Sequence, residues 1–160
     1  MARMLQVALD MRTTQLLVPS VVLAILASAC ATTNDHDLAA ARRRWNAQGI
    51  TSYSVTSAQT CFCPSEITAP MHVSVIGGDA IGSATYVDGG GAVPAAVLST
   101  LFTVERAFAK VQDAIDRDAD ILEVTFDPIL GYPTRVKIDY ERRAADDEFE
   151  LTLSGLTPAR

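Results

Sequence analysis

The chain is short of basic charge. In 160 residues, 13 lysines and arginines face 19 aspartates and glutamates, for a net charge of −6. A general nucleic-acid binder needs basic surface to neutralise phosphates, so the balance argues against nucleic acid as a partner. Long apolar runs are also missing. A membrane-spanning helix needs roughly 20 apolar residues. The run at 16–26, LLVPSVVLAIL, has eleven. Catalytic signatures are lacking too. There is no G-x-S-x-G, and neither His36 nor His72 stands in a recognisable catalytic setting. Gly89-Gly90-Gly91 lacks the lysine and the serine or threonine of a phosphate loop. Asp116, Asp118, Asp120 and Asp127 imitate calcium-loop spacing. However, Ile121 occupies the glycine position and an aspartate would replace the bidentate glutamate, so a solvated helix end explains them better. What remains is an ordinary globular composition, 49% hydrophobic and 20% charged.

The eleven-residue run has the length of a signal-peptide core. Leu26-Ala27-Ser28-Ala29-Cys30 follows it and resembles a bacterial lipobox, in which the signal is cut and the cysteine becomes lipidated and N-terminal. A plain secretory signal cut after Ala29, with Cys30 incidental, is the competing reading. Asp10 is out of place before a signal core, whereas MRTTQLLVPSVVLAILASAC from Met11 is compact, which points to Met11 as the start. The expected organisation is a signal over 1–29, a lipidated Cys30 with a short tether over 30–36, and a single α+β domain over 37–160. Such a tether holds the domain within roughly 20 Å of the bilayer.

Periodicity assigns the elements. Residues 36–48 read as a helix, with Asn34 or Asp35 as cap, Gly49 after the end, and Leu38, Ala41 and Trp45 on one face. Strands follow at 51–57, 71–75 and 80–86, the last two joined by the hairpin turn Gly77-Gly78. Thr103 can cap a second helix with the stripe Val104, Ala107, Phe108, Val111 and Ile115, and some helix can begin earlier, after Pro94. Alternation then marks strands at 121–126, 136–140 and 149–153. Short connections predict an antiparallel β-sheet. One polar and one apolar face predict two helices on one side of it, in the order α-β-β-β-α-β-β-β.

Several segments together carry a resemblance. They are Trp45, Tyr53, Cys61-Phe62-Cys63, the helix from Thr103-Val104-Glu105 to Ile115, the segment FDPILGYPT at 126–134, Asp139, and Asp146-Asp147-Glu148. The chain resembles, over roughly 38–153, a family of small bacterial lipoproteins and secreted proteins that has no assigned activity. The D-P-x-x-G-Y-P-T segment is its most specific part, with Phe126 standing where tyrosine is expected. The resemblance implies envelope localisation and domain boundaries, and no functional residue follows from it.

Cys61 and Cys63 are the sharpest chemical feature. With Cys30 lipidated, they form an even pair in an oxidising compartment. On an extended strand their Cα atoms would lie about 6.6–6.8 Å apart, the upper edge of disulfide range, so a bond needs a bend, which Pro64 favours. Closing so small a ring contributes only about 1.6 kcal/mol. A local disulfide, exposed redox chemistry, and metal binding by Cys61, Cys63 and His72 are the three readings. The metal reading lacks a fourth ligand and the usual cysteine spacing. Arg42-Arg43-Arg44 is either a solvated helix face or a contact to anionic head groups worth about 1 kcal/mol per arginine. Tyr132, Trp45 and Asp127 are the candidate binding residues, with turn packing as the plainer role for Tyr132. Neither a catalytic residue nor a metal ligand set nor a cofactor is assigned. The expected function is that of a monomeric, membrane-anchored envelope lipoprotein, a non-catalytic binding or interaction module with a possible envelope protein partner. The alternative is a thiol-disulfide redox or metal-binding protein using Cys61 and Cys63.

Overall fold

The computed structural model describes residues 33–144 and 146–159. The expected signal over 1–29, its start at Met11 and the lipidation site Cys30 lie outside the described residues.

Helix α1 (Thr33–Gln48) begins three residues earlier than its apolar period predicts and buries Leu38, Ala41 and Trp45. Strand β1 (Tyr53–Thr60) leads into a single turn of helix, α2 (Ser65–Thr68). The hairpin β2 (Met71–Ile76) and β3 (Ala80–Tyr86) closes through Gly77 and Gly78, both at positive φ as a primed turn requires. A second single turn, α3 (Ala95–Leu98), follows Pro94. Helix α4 (Val104–Asp116) is capped by Thr103, whose hydroxyl accepts from Arg106 N at 3.2 Å and donates to Asp79 Oδ1 at 2.6 Å. Its buried stripe is Val104, Ala107, Phe108, Val111 and Ala114. Strands β4 (Ile121–Phe126), β5 (Pro133–Asp139) and β6 (Glu148–Pro158) complete the chain.

Over the described residues the protein is therefore a mixed α+β fold with a six-stranded antiparallel sheet and four helices. This corrects the expectation of two helices: the order is α-β-α-β-β-α-α-β-β-β. The extra elements are single turns after prolines, too short to show a helical period.

Strand order is β3-β2-β1-β6-β5-β4. Two meanders are thus fused where β1 meets β6. On one face, Tyr53, Val55, Met71, Val73, Val75, Val136, Ile138, Leu151 and Leu153 are buried. The two long helices pack there, antiparallel to each other. Trp45 near the end of α1 bonds Glu105 at the start of α4, and Arg42 lies 5.0 Å over the Phe108 ring. Tyr53 ties sheet to helix, its hydroxyl accepting from Val104 N at 2.8 Å and donating to Glu105 Oε2 at 3.2 Å. The alternate residues of each strand face the opposite, open side of the sheet.

Candidate functional site

The open face carries a structure at one end. Beyond Thr60 the chain leaves β1 and folds back on itself at Cys61, Phe62 and Cys63. Cys63 N–H donates to Cys61 O at 2.8 Å, the pattern of a γ-turn. The bend brings the two Cα atoms to 5.2 Å, and the sulfurs are joined in a disulfide. That separation lies well inside disulfide range, where an extended strand would not reach. The small ring holds Phe62 outward at its apex, 85% exposed.

Register places rows of side chains beneath this turn. Lys137 is opposite Glu150 on β6 and Glu123 on β4, and Glu150 is opposite Thr60 on β1. In the next row Asp139 is opposite Glu148 on β6 and Ile121 on β4. All of these residues but Glu123 line a cavity of about 380 Å³, together with Cys61, Phe62 and Asp146. That volume suits a small ligand. Four carboxylates, Asp139, Asp146, Glu148 and Glu150, line it against one ammonium, that of Lys137. Glu150 also accepts from Arg135 Nε at 2.8 Å, so its charge is partly matched.

Asp139 stands apart from the others. It lies on the open side of the sheet, yet is only 8% exposed, and its Oδ1 has no hydrogen-bond partner. Glu148, directly across the ladder, is a like charge, which disfavours the pair. A buried carboxylate oxygen without a partner is costly, and native structures normally satisfy it. That oxygen has almost no accessible surface of its own, so it lies beneath the cavity's acidic, partly apolar lining rather than on it. Among the described residues no group of three or more histidine, cysteine, aspartate or glutamate side chains is arranged to hold a metal ion.

Over residues 37–158 the chain matches a family described as a family of unknown function, DUF6174. The chain belongs to the DUF6174 family. No curated protein and no solved structure matches it.

Within this DUF6174 domain, the candidate residues read from the sequence divide into two groups. Trp45 and Tyr132 are core residues, 3% and 5% exposed, with ring centroids 6.2 Å apart, and Trp45 meets Tyr53 edge-on at 5.6 Å. Asp127 builds its own turn: Oδ1 accepts from Ile129 N at 2.9 Å and Leu130 N at 2.7 Å. The D-P-x-x-G-Y-P-T segment thus serves the fold, fixing the β4–β5 turn and sending Tyr132 inward. The disulfide pair Cys61 and Cys63 forms the second group, and Cys61 meets Phe62, Asp139, Asp146 and Glu148 in the cavity. His72 lies elsewhere on the open face, its Nδ1 3.0 Å from Thr56 Oγ1, and sulfurs bonded to each other are not free thiolate ligands. The cavity role of Asp139, Lys137, Ile121 and Glu148 was not read from the sequence. The alternation Arg135, Lys137, Asp139 assigns them to the polar side, and nothing local says that this side is covered.

Proposed function

We propose that this protein is a membrane-anchored envelope lipoprotein whose DUF6174 domain is a non-catalytic binding module, with the cavity beside the Cys61–Cys63 turn as its binding site. One observation carries the binding role: a cavity of about 380 Å³, a size suited to a small ligand, opens beside the Cys61–Cys63 turn and is lined by four carboxylates, Lys137 and Phe62. The lining supplies carboxylates, one ammonium and an apolar turn, a set suited to holding a ligand. The anchor rests on the run at 16–26 and on Leu26-Ala27-Ser28-Ala29-Cys30. A closed disulfide accords with the oxidising side of a membrane.

Two measurements test the reading. The full chain, expressed in a bacterial host, is expected in the membrane fraction, and Cys30→Ser is expected to release it; equal partition of the two proteins would overturn the anchor. The purified domain, titrated with a low-mass envelope extract, is expected to show amide shifts clustered at Phe62, Asp139 and Glu148 in nitrogen–proton spectra. Absence of any clustered shift would overturn the binding role.

A further inference from the structure

Strand β1 stops two residues short of the start of its neighbour β6. We infer that the Cys61–Cys63 disulfide is a redox catch on the cavity. Closed, it bends the chain off the sheet and holds the cavity open. Reduced, it lets β1 run on beside β6 and lays Phe62 over the cavity. The change of shape stands on the strand register alone. Its effect on a ligand deepens the binding reading above and rests on it.

Register comes first. The β1–β6 ladder pairs Ala58 with Thr152, Gln59 with Leu151 and Thr60 with Glu150. Among the described residues, the first two positions of β6 pair on the β5 side alone, Glu148 with Asp139 and Phe149 with Ile138. Continued in the same register, β1 would set Cys61 opposite Phe149 and Phe62 opposite Glu148. Alternation fixes the faces. Tyr53, Val55, Ser57 and Gln59 are buried on the helix side, so Phe62 shares the open side with Thr56 and Thr60. Its row there is Glu148, Asp139 and Ile121, all of which line the cavity. An aromatic ring also reaches a diagonal neighbour, here Glu150.

The disulfide and the strand exclude each other. Alternate residues of a strand lie about 6.6–6.8 Å apart at Cα. The bonded cysteines stand at 5.2 Å, with Cys63 N–H on Cys61 O. The connection is long enough for extension. Met71 opens β2 opposite Ser57, so a strand ending at Phe62 overshoots it by five residues, about 17 Å. The eight residues 63–70 reach up to about 26–29 Å. Extension also has a drive, because Phe62 is 85% exposed in the bent form and gains apolar cover in the extended one. Pro64 sets the limit, since it has no N–H for a ladder.

The opening step is exchange with a low-molecular-weight thiol. Its thiolate attacks the sulfur of exposed Cys63, the sulfur–sulfur bond breaks, and Cys61 leaves as a thiolate that takes up a proton. A second thiolate attacks the small molecule's sulfur in the mixed disulfide and releases Cys63, which is protonated in turn. Two electrons pass to the protein, and two small thiols end as one disulfide.

The test uses the full chain with Cys30→Ser, which leaves Cys61 and Cys63 as its two cysteines. Excess dithiothreitol is the reductant, and the mass after thiol alkylation reports the open pair. On reduction, proton contacts between the Phe62 ring and Glu148 are expected to appear. Amide hydrogen exchange within 61–62 and 148–149 is expected to slow at least about tenfold, as new ladder bonds protect it. The joint replacement Cys61→Ser and Cys63→Ser is expected to show the extended form without reductant. Phe62→Ser, which lacks the apolar drive, is expected to stay unpaired when reduced. Faster exchange at 61–63 with no new contact to β6 would overturn the catch, as would a pair that dithiothreitol leaves closed. Binding is read separately. Envelope extract is expected to shift the Lys137, Asp139 and Glu148 amides of the oxidised protein and to lose that effect on the reduced one. Shifts that persist once β1 has extended would overturn the gating of the cavity. Extension without extract shifts in either form would overturn the binding reading and leave the catch standing.

Discussion

At the residue scale, tyrosine hydroxyls join the layers of this fold. Tyr53 reaches from the sheet to the first turn of α4 and bonds both Val104 N and Glu105. Tyr140 donates to Asp113 Oδ2 at 2.6 Å on the last turns of the same helix, and the Arg117 guanidinium lies 3.8 Å from its ring centroid. Burial, with the neighbouring Asp113 carboxylate, pushes the Tyr140 phenol up to about 12 from its ordinary 10.0. Burial likewise raises Tyr53 and Tyr132. Since the folded state holds these phenols neutral more firmly than the unfolded chain does, their contribution to stability is fully present below pH 10. It is lost as pH rises from 10 toward 12. Denaturant midpoints across that window are expected to fall, and less steeply in Tyr140→Phe. The hydrogen bond from Tyr140 lowers the Asp113 pKa, so that contribution runs the other way and fades on acidification.

At the element scale, two turns decide local architecture. The β4–β5 turn presses Gly131 against α1 at φ +88, where an added Cβ would lie 2.5 Å from Ala41 O and 2.8 Å from Arg44 Cβ. Gly131→Ala is expected to cost about 1–3 kcal/mol through overpacking and backbone strain, read as a shifted denaturant midpoint. The disulfide turn contrasts with it. The joint replacement Cys61→Ser and Cys63→Ser is expected to leave the domain folded and to lower its unfolding free energy by no more than about 1.6 kcal/mol, since the closed loop is so short. Guanidinium titration of the double variant checks this. Legibility followed the same division. The long amphipathic α4 and the alternating strands announced themselves by period. Helix α2, with the sequence SEIT, shows no period to read. Strand β6 runs five residues past its apolar alternation to Pro158, because Gly155, at φ +64, coincides with the register shift in the β1–β6 ladder, which resumes at Thr157.

At the scale of the whole molecule, topology gathers one end of the domain. Helices α1 and α4 are antiparallel, so the start of α1, around Asp35, His36 and Leu38, lies beside Gln112 near the end of α4. From there four residues lead into Ile121, which lines the cavity. The start of α1 and the cavity therefore share an end, with Ile129 at the other. If Cys30 is acylated, the cavity end faces the bilayer. A fluorophore on Ala144→Cys, beside the cavity end, is expected to be quenched by headgroup-labelled vesicles carrying the acylated protein. One on Ile129→Cys, a position 77% exposed, is expected to escape quenching.

Composition and period by themselves determined an acidic α+β domain, the two long helices, the six strands and the cysteine pair. Each of these is local information: charge sums along the chain, and side-chain alternation records which face is apolar. Only the tertiary structure decided that β1 pairs with β6, nearly a hundred positions away, and that Trp45, Asp127 and Tyr132 are spent on the core and its turns. It also decided that Asp139, written as one more polar residue of an exposed row, is buried. The fold brings Cys61 and Phe62 of the disulfide turn and Asp146 of the β5–β6 connection to the same cavity as Asp139, a juxtaposition between distant stretches of chain that no local pattern encodes.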